Sequence, residues 1–326
     1  MEPVHGWSTK VIRPFSNPKN EEYVVVDPPV ESYTGTSINL KSLPMVSFCI
    51  PTLNNQRTLE KCLQSIVNQD YPRIEIVIVD GGSTDRTLEI AKRYTDKVFH
   101  DPGRLGSARQ MSVEKSSGKV LALFDSDIII PHTKWLVNAV NRFNYSNRVS
   151  TVMSANESPP GSSLTNRLFF NHWILIVEDR ATRKHGLLGF GNSLVLRECI
   201  EGIGGINTSL HWGEDFDWAR KLWIKGYQVV YTRDAIFHDT MRSLGQFARK
   251  QLIGAETFTV HGFQLMNLTP WDAFQEQFIL GTKGMFRGLV RDGDRSWLLF
   301  PLYITIRVVA YCRTYMRTRM SRGENY

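Results

Sequence analysis

Short apolar runs alternate with amphipathic stretches through the middle of the chain. Val46-Ser47-Phe48-Cys49-Ile50 is apolar and ends at Pro51, as a buried strand would. Leu59, Cys62, Leu63, Ile66 and Val67 then recur at helical spacing, and that helix stops near Asp70-Tyr71-Pro72. Ile74 to Val79 predicts a second strand, broken by Asp80-Gly81-Gly82-Ser83, and another helix runs to about Tyr94. Val98-Phe99 predicts a short third strand, and a helix opens near Gly106. Val120 to Phe124 predicts a fourth strand ending at Asp125-Ser126-Asp127, and Leu136, Ala139, Val140 and Phe143 share one face of a further helix. This alternation predicts βαβ units and a parallel sheet. Strands without polar alternation predict helices on both sheet faces. Ligands of such sheets bind beyond the carboxyl ends of the strands. Pro51-Thr52-Leu53-Asn54, Asp80-Gly81-Gly82 and Asp125-Ser126-Asp127 fall there.

The 326 residues, 42% hydrophobic and 22% charged, exclude a disordered chain and suffice for one large α/β domain or two modest ones. A net charge of +7 favours anionic partners: nucleotides, phospholipid head groups or nucleic acid. The basic residues do not cluster with a recognised nucleic-acid module, so no nucleic acid is expected. Cys49, Cys62, Cys199 and Cys312 lie far apart, which predicts small core hydrophobes in a reducing compartment rather than a disulfide framework. Met1 to Lys10 is polar and precedes no apolar segment, so no signal peptide is expected. No uninterrupted apolar stretch is long enough for an ordinary transmembrane helix. Residues 1–44, rich in Pro, Asn, Ser and charge, read as an extension with one strand-like run, Tyr23 to Val26.

Two of the three strand ends carry carboxylates. A nucleotide-sugar leaves as a nucleoside diphosphate, and charge builds on its phosphate oxygens. A divalent cation held by one or two carboxylates neutralises such charge. A DxD triplet in isolation is commonly a solvated turn. Here strong β-formers flank Asp125 and Asp127, and carboxylates beside a core require a cation or hydrogen bonds. Asp80 has two readings: a carboxylate accepting from a nucleobase N–H, or turn chemistry with a helix cap. Glu214-Asp215 opens a helix, where its dipole favours Glu214, Asp215 and Asp217 alike.

The ordered set Ile50-Pro51-Thr52-Leu53-Asn54, Val79-Asp80-Gly81-Gly82-Ser83-Thr84-Asp85, Gly106-Ser107-Ala108-Arg109-Gln110, Phe124-Asp125-Ser126-Asp127, Gly189-Phe190-Gly191-Asn192, Gly204-Gly205, Gly213-Glu214-Asp215 and His238 resembles the catalytic domain of inverting glycosyltransferase family 2. The resemblance runs from Val46 to about His238. It implies a GT-A fold: an α/β, Rossmann-like, mostly parallel sheet flanked by helices. It also implies a catalytic domain over 45–240, with residues 241–326 as a helical, basic C-terminal region. By the same resemblance Pro51, Thr52, Asn54 and Asp80 hold the nucleoside, Arg109 sits near the donor and Asp125 approaches the ribose. Asp127 binds Mn²⁺ or Mg²⁺, with His238 as a metal or diphosphate neighbour. Gly191, Asn192 and Glu214 line the sugar or acceptor side, and Asp215 is the general base. Many relatives carry Glu where this chain has Asn55. The Gln-x-x-Arg-Trp motif of processive synthases is absent, with Gln246, Arg249 and Lys250 in that segment, which favours transfer of a single sugar.

After about Thr240 the pattern is helical and basic. Leu244, Phe247, Ala248, Leu252 and Ala255 share an apolar face. Trp271, Phe274, Phe278, Met285 and Phe286 suggest a second amphipathic helix, weakened by Gly281 and Gly284. Trp297 to Cys312 is mostly apolar but holds Pro301 and Arg307, spans only about 24 Å as helix, and is followed by Arg313, Arg317, Arg319 and Arg322. This region reads either as helices packed on the catalytic domain or as an in-plane anchor on the cytoplasmic face of a membrane. The expected partners are a nucleotide-sugar donor, a lipid-linked or glycan acceptor and a membrane surface. Two alternatives remain beside the transferase: a non-catalytic nucleotide-binding scaffold and a nucleotide-dependent oxidoreductase. The latter lacks a G-x-G-x-x-G after the first strand.

Overall fold

The computed structural model describes residues 24–26, 43–182, 189, 191–210, 213–257, 271 and 274–321. The expectations for the rest of the N-terminal extension, for Phe190 and Arg322, and for the side chains of Arg317 and Arg319 lie outside the described residues.

Nine strands among the described residues form one mixed sheet: β1 Val24–Val26, β2 Val46–Thr52, β3 Ile74–Asp80, β4 Val98–His100, β5 Val120–Leu123, β6 Ile128–Ile129, β7 Val149–Glu157, β8 Ser193–Leu196 and β9 Gln228–His238. Their order is β1-β9-β7-β8-β5-β2-β3-β4, with β6 paired to β9. Strands β5, β2, β3 and β4 run parallel, as their βαβ spacing dictates. Strand β8 is antiparallel to both β5 and β7, which divides the sheet into two parallel halves.

Both faces are covered. Val46, Phe48 and Ile50 of β2 and Val120 and Ala122 of β5 pack with α1 (Leu59–Val67), α2 (Thr87–Ala91) and α4 (Trp135–Asn141). The alternate residues Cys49, Leu121 and Leu123 pack with α3 (Leu105–Lys115), α5 (Leu164–Thr182), α6 (Arg197–Gly202) and α7 (Glu214–Ile224). The period-two alternation thus splits one apolar run between two cores. Helix α4 ends earlier than the pattern predicts. Arg142–Tyr145 is a 3₁₀ turn, and Phe143 still packs against the same core as Leu136, Ala139 and Val140.

A third cluster joins the C-terminal helices to α5. Helix α8 (Leu244–Thr257), α9 (Gly281–Val290) and α10 (Phe300–Ser321) surround Leu168, Met241, Phe247, Trp297, Phe300, Tyr303 and Ile304. The glycines of α9 do not merely weaken a helix. Gly281, Gly284 and Gly288 form one stripe, and the rings of Phe300 and Trp297 occupy the space their side chains would fill. Trp297 to Cys312 is not one short segment. It divides into a 3₁₀ turn, Arg295–Leu299, and the start of the 22-residue α10, where Pro301 lies in the first turn and forfeits no helical hydrogen bond. Among the described residues no helix is long and apolar enough to cross a membrane. Cys49, Cys62 and Cys199 are buried and free, but Cys312 is exposed rather than a core residue.

Candidate active site

Parallel register brings the predicted strand ends together. Thr52 lies opposite Asp80, and Asp80 opposite His100. Pro51 is buried within β2, opposite Val79. The buried Thr52 hydroxyl has no hydrogen-bond partner among the described residues. Asp80 makes the turn. Its carboxylate accepts from the Gly82 N–H at 2.9 Å, the Ser83 N–H at 2.8 Å and the Ser83 hydroxyl. Asp85 separately accepts from the Thr87 N–H at the start of α2. Asn54 takes the left-handed conformation, φ 52°, and its side chain accepts from the Thr84 N–H, tying the two loops together.

The carboxylates of Asp125 and Asp127 meet His238 because β6 pairs with β9. Ile128 is opposite His238, and the Asp239 N–H donates to the Asp127 carbonyl at 3.0 Å. That register places His238 Nε2 2.9 Å from Asp127 Oδ1 and 3.8 Å from Asp125 Oδ2. One ligand atom from each residue lies within 4.8 Å of the others. Two carboxylates and an imidazole at that separation suit a divalent cation with ligand bonds of about 2.1 Å. Burial pushes the Asp127 carboxyl up, but His238, the Thr240 hydroxyl and Lys250 outweigh it and hold it below the usual carboxylate range. Burial opposes the His238 imidazolium, and Asp127 overrides it, raising the imidazole's pKa. The ring lies against Phe170, centroids 5.1 Å apart, and its carbonyl accepts from Asn166 at 2.9 Å.

Arg109 spans the site. Its Nε donates to Glu214 Oε1 at 2.9 Å and its Nη2 to Asp125 Oδ1 at 2.6 Å, with the side chain only 3% exposed. Asn192, at φ 60°, reinforces Asp125 twice: its Nδ2 donates to Oδ2 at 3.1 Å, and its Oδ1 accepts the Asp125 N–H at 2.7 Å. The acidic first turn of α7 is thereby resolved. Glu214 is engaged by Arg109, and Asp217 pairs with Lys221 at 2.7 Å. Asp215 accepts instead from the Gly191 N–H at 3.2 Å. Its side chain is half-buried, yet the protein crowding it and the neighbouring Glu214 carboxylate push its pKa up to about 7, against the pull of Arg109 and the Gly191 N–H. Gly189 lies so close that a Cβ there would come within 2.5 Å of Asp215 Oδ2.

Sequence reasoning named every member of this constellation but missed its supports. Asn166 is wholly buried and holds the carbonyl of His238 while accepting the N–H groups of Thr240 and Met241. Asn55 donates to the hydroxyl of Ser126, the middle residue of the DxD triplet. Asn166 lies in no carboxylate or glycine motif, so spacing offered no signal, while Asn55 stood out in the sequence only as a departure from the family pattern and not as a support of the triplet.

A mixed α/β sheet with a DxD–His cluster and a carboxylate at the start of α7 is the arrangement that the resemblance to a glycosyltransferase implies. The glycosyl transferase family 2 profile matches residues 47–203. Glycosyltransferase AglE of Haloferax volcanii is 28% identical over 221 residues, 64% of this chain and 71% of that protein. An uncharacterized glycosyltransferase of Haemophilus influenzae is 33% identical over 100 residues, 28% of this chain and 40% of that protein. Among solved structures, the mannosyltransferase PcManGT from Pyrobaculum calidifontis, in complex with GDP-Man and Mn²⁺, shares the fold with a TM-score of 0.58 at 16% identity. It covers 86% of this chain and 92% of its own. Glucosyl-3-phosphoglycerate synthase from Mycobacterium tuberculosis matches with a TM-score of 0.52 at 18% identity, over 76% and 88%. Residues 47–203 are thus a glycosyltransferase family 2 domain, the chain has the GT-A fold, and the oxidoreductase alternative falls away.

Proposed function

We propose that this enzyme transfers a single sugar, with inversion, from a UDP- or GDP-linked donor to a lipid-linked or polysaccharide acceptor at the cytoplasmic surface of a membrane. The observation that carries the reading is the convergence of Asp125, Asp127 and His238 on one side of Arg109 and of Glu214 and Asp215 on the other. Thr52 and the Asp80 turn form the nucleoside end, where the free Thr52 hydroxyl offers a hydrogen bond. Asp127 and His238, with Asp125, hold Mn²⁺ or Mg²⁺, which when bound neutralises charge developing on the departing diphosphate. The complex of PcManGT with GDP-Man and Mn²⁺ supports the donor class and the metal. Arg109 keeps Asp125 aimed at the donor and Glu214 fixed, which leaves Asp215 to face the acceptor. A carboxylate with a pKa near 7 is suited to taking the proton of an attacking hydroxyl at neutral pH. Gly191 and Asn192 supply the backbone wall between them.

A thermal-shift panel of UDP-, GDP- and dTDP-sugars and NAD(H), with and without Mn²⁺, tests this. A native-state ligand at a hundredfold excess over its dissociation constant adds about 2.7 kcal/mol of apparent stability. The expected result is a metal-dependent shift with a UDP- or GDP-sugar that disappears in Asp127→Ala. A shift with NAD(H) alone, or Mn²⁺ stimulation undiminished in Asp127→Ala, would sink the reading.

A further inference from the structure

We propose that Lys250, presented by α8, is a phosphate-binding residue of the donor site, holding the diphosphate of the nucleotide-sugar beside the Asp127–His238 corner. The inference rests on the donor reading above. It assigns a role in that site to a helix that lies beyond the matched family profile, residues 47–203.

The geometry is direct. Lys250 Nζ donates to the hydroxyl of Thr240, and that hydroxyl bonds the Asp127 carboxylate. The ammonium is therefore one hydroxyl away from a proposed metal ligand. Its charge favours ionised Asp127 and disfavours protonated His238, so both groups lie within its field. Two nearby arginines are already engaged. Arg57 pairs with Asp239 at 3.0 Å, and Arg242 approaches the same carboxylate oxygen at 3.6 Å. Lys250 is exposed and makes no ion pair among the described residues. Its helix is fixed from the other side: Phe247 is fully buried and stacks on Tyr303 at 4.2 Å, and Gln251 is buried too. Packing on α10 thus turns Gln246, Lys250 and Ile253 outward on one face.

A cation beside a cation site is unfavourable unless an anion lies between them. A diphosphate bridges them: its oxygens accept from an ammonium while the metal takes others. A lysine on a flexible stem can follow the oxygens as the bond to the sugar lengthens.

The test uses the full chain, calorimetry, and UDP and GDP against UMP and GMP, all with Mn²⁺. A hydrogen bond to a charged group is worth about 1.5–3 kcal/mol, roughly tenfold or more in affinity. Lys250→Gln should weaken the diphosphate nucleotide by about that factor and leave the monophosphate nearly unchanged, with Lys250→Arg restoring most of the loss. Without nucleotide, Lys250→Gln should bind Mn²⁺ at least as tightly as the parent, because a repulsive charge is gone. Unchanged preference for diphosphate over monophosphate overturns the assignment. So does weaker Mn²⁺ binding without nucleotide, which would make Lys250 a structural strut. If the parent chain binds neither UDP nor GDP with Mn²⁺, the donor reading itself fails and takes this inference with it.

Discussion

Three carboxylates open α7, and their surroundings give them different tasks. Glu214 and Asp217 are each neutralised by a basic side chain, Arg109 and Lys221. Asp215 accepts instead from the Gly191 and Phe216 N–H groups, and burial with the adjacent Glu214 charge pushes its pKa up to about 7. A base must be deprotonated to act, so turnover with a hydroxyl acceptor should rise as pH rises through about 7 and level off above it. Asp215→Asn should remove that limb and lower kcat by about 10²–10⁴-fold, with donor affinity preserved. A phosphate acceptor is already ionised and needs no such base. With it, the variant should retain near-normal turnover, and measuring both acceptors in parallel separates the two chemistries. Loss of donor binding in Asp215→Asn would place the residue on the wrong substrate.

The catalytic half of the fold was legible because its strands are short, apolar and punctuated at the site: Pro51-Thr52 and Val79-Asp80 end their strands and Phe124-Asp125 follows one, where a ligand would bind. Strand β7, in contrast, buries Ser150, Thr151, Ser154 and Asn156 among its apolar residues, so polarity gave no period to follow. Helix α5 is apolar on several sides because it packs against the sheet on one side and the C-terminal cluster on another, which erases the helical signature. The two-residue β6 is too short for any pattern, yet its pairing with β9 brings Asp125, Asp127 and His238 together. Glycines misled in another way. On α9 they look like breaks, but they are where Trp297 and Phe300 enter. Gly288→Ala should therefore destabilise the chain by about 1–3 kcal/mol, as overpacking does. Chemical denaturation should register that loss with Mn²⁺ and nucleotide affinity intact at low denaturant; a neutral substitution would mean the ring does not sit against the helix.

Across the whole molecule, exposed apolar side chains are unevenly spread. Ten of the fifteen large exposed hydrophobics among the described residues fall in α8 or beyond, including Phe286, Val290 and Leu298. Helix α10 carries two stripes. Tyr303, Ala310 and Thr314 face the protein, while Leu302, Val309 and Met316, seven residues apart and so nearly aligned, face out. Exposed Lys283, Arg291, Arg295 and Arg313 accompany them. An apolar stripe flanked by cations matches the interface of an anionic bilayer, where each basic residue contributes about 1 kcal/mol. This also gives α8 a place in the molecule: through Phe247 and Tyr303 it joins the outward-facing helix to the rim of the donor site. The full chain should therefore co-sediment with vesicles containing anionic lipid at low salt. Binding should weaken as the Debye length falls from about 10 Å at 0.1 M salt to about 3 Å at 1 M. The double variant Leu302→Glu, Val309→Glu should lose vesicle binding and keep nucleotide binding, since neither side chain approaches the cleft. Absence of binding to anionic vesicles at low salt would leave this stripe without a membrane role and favour a soluble glycan as acceptor.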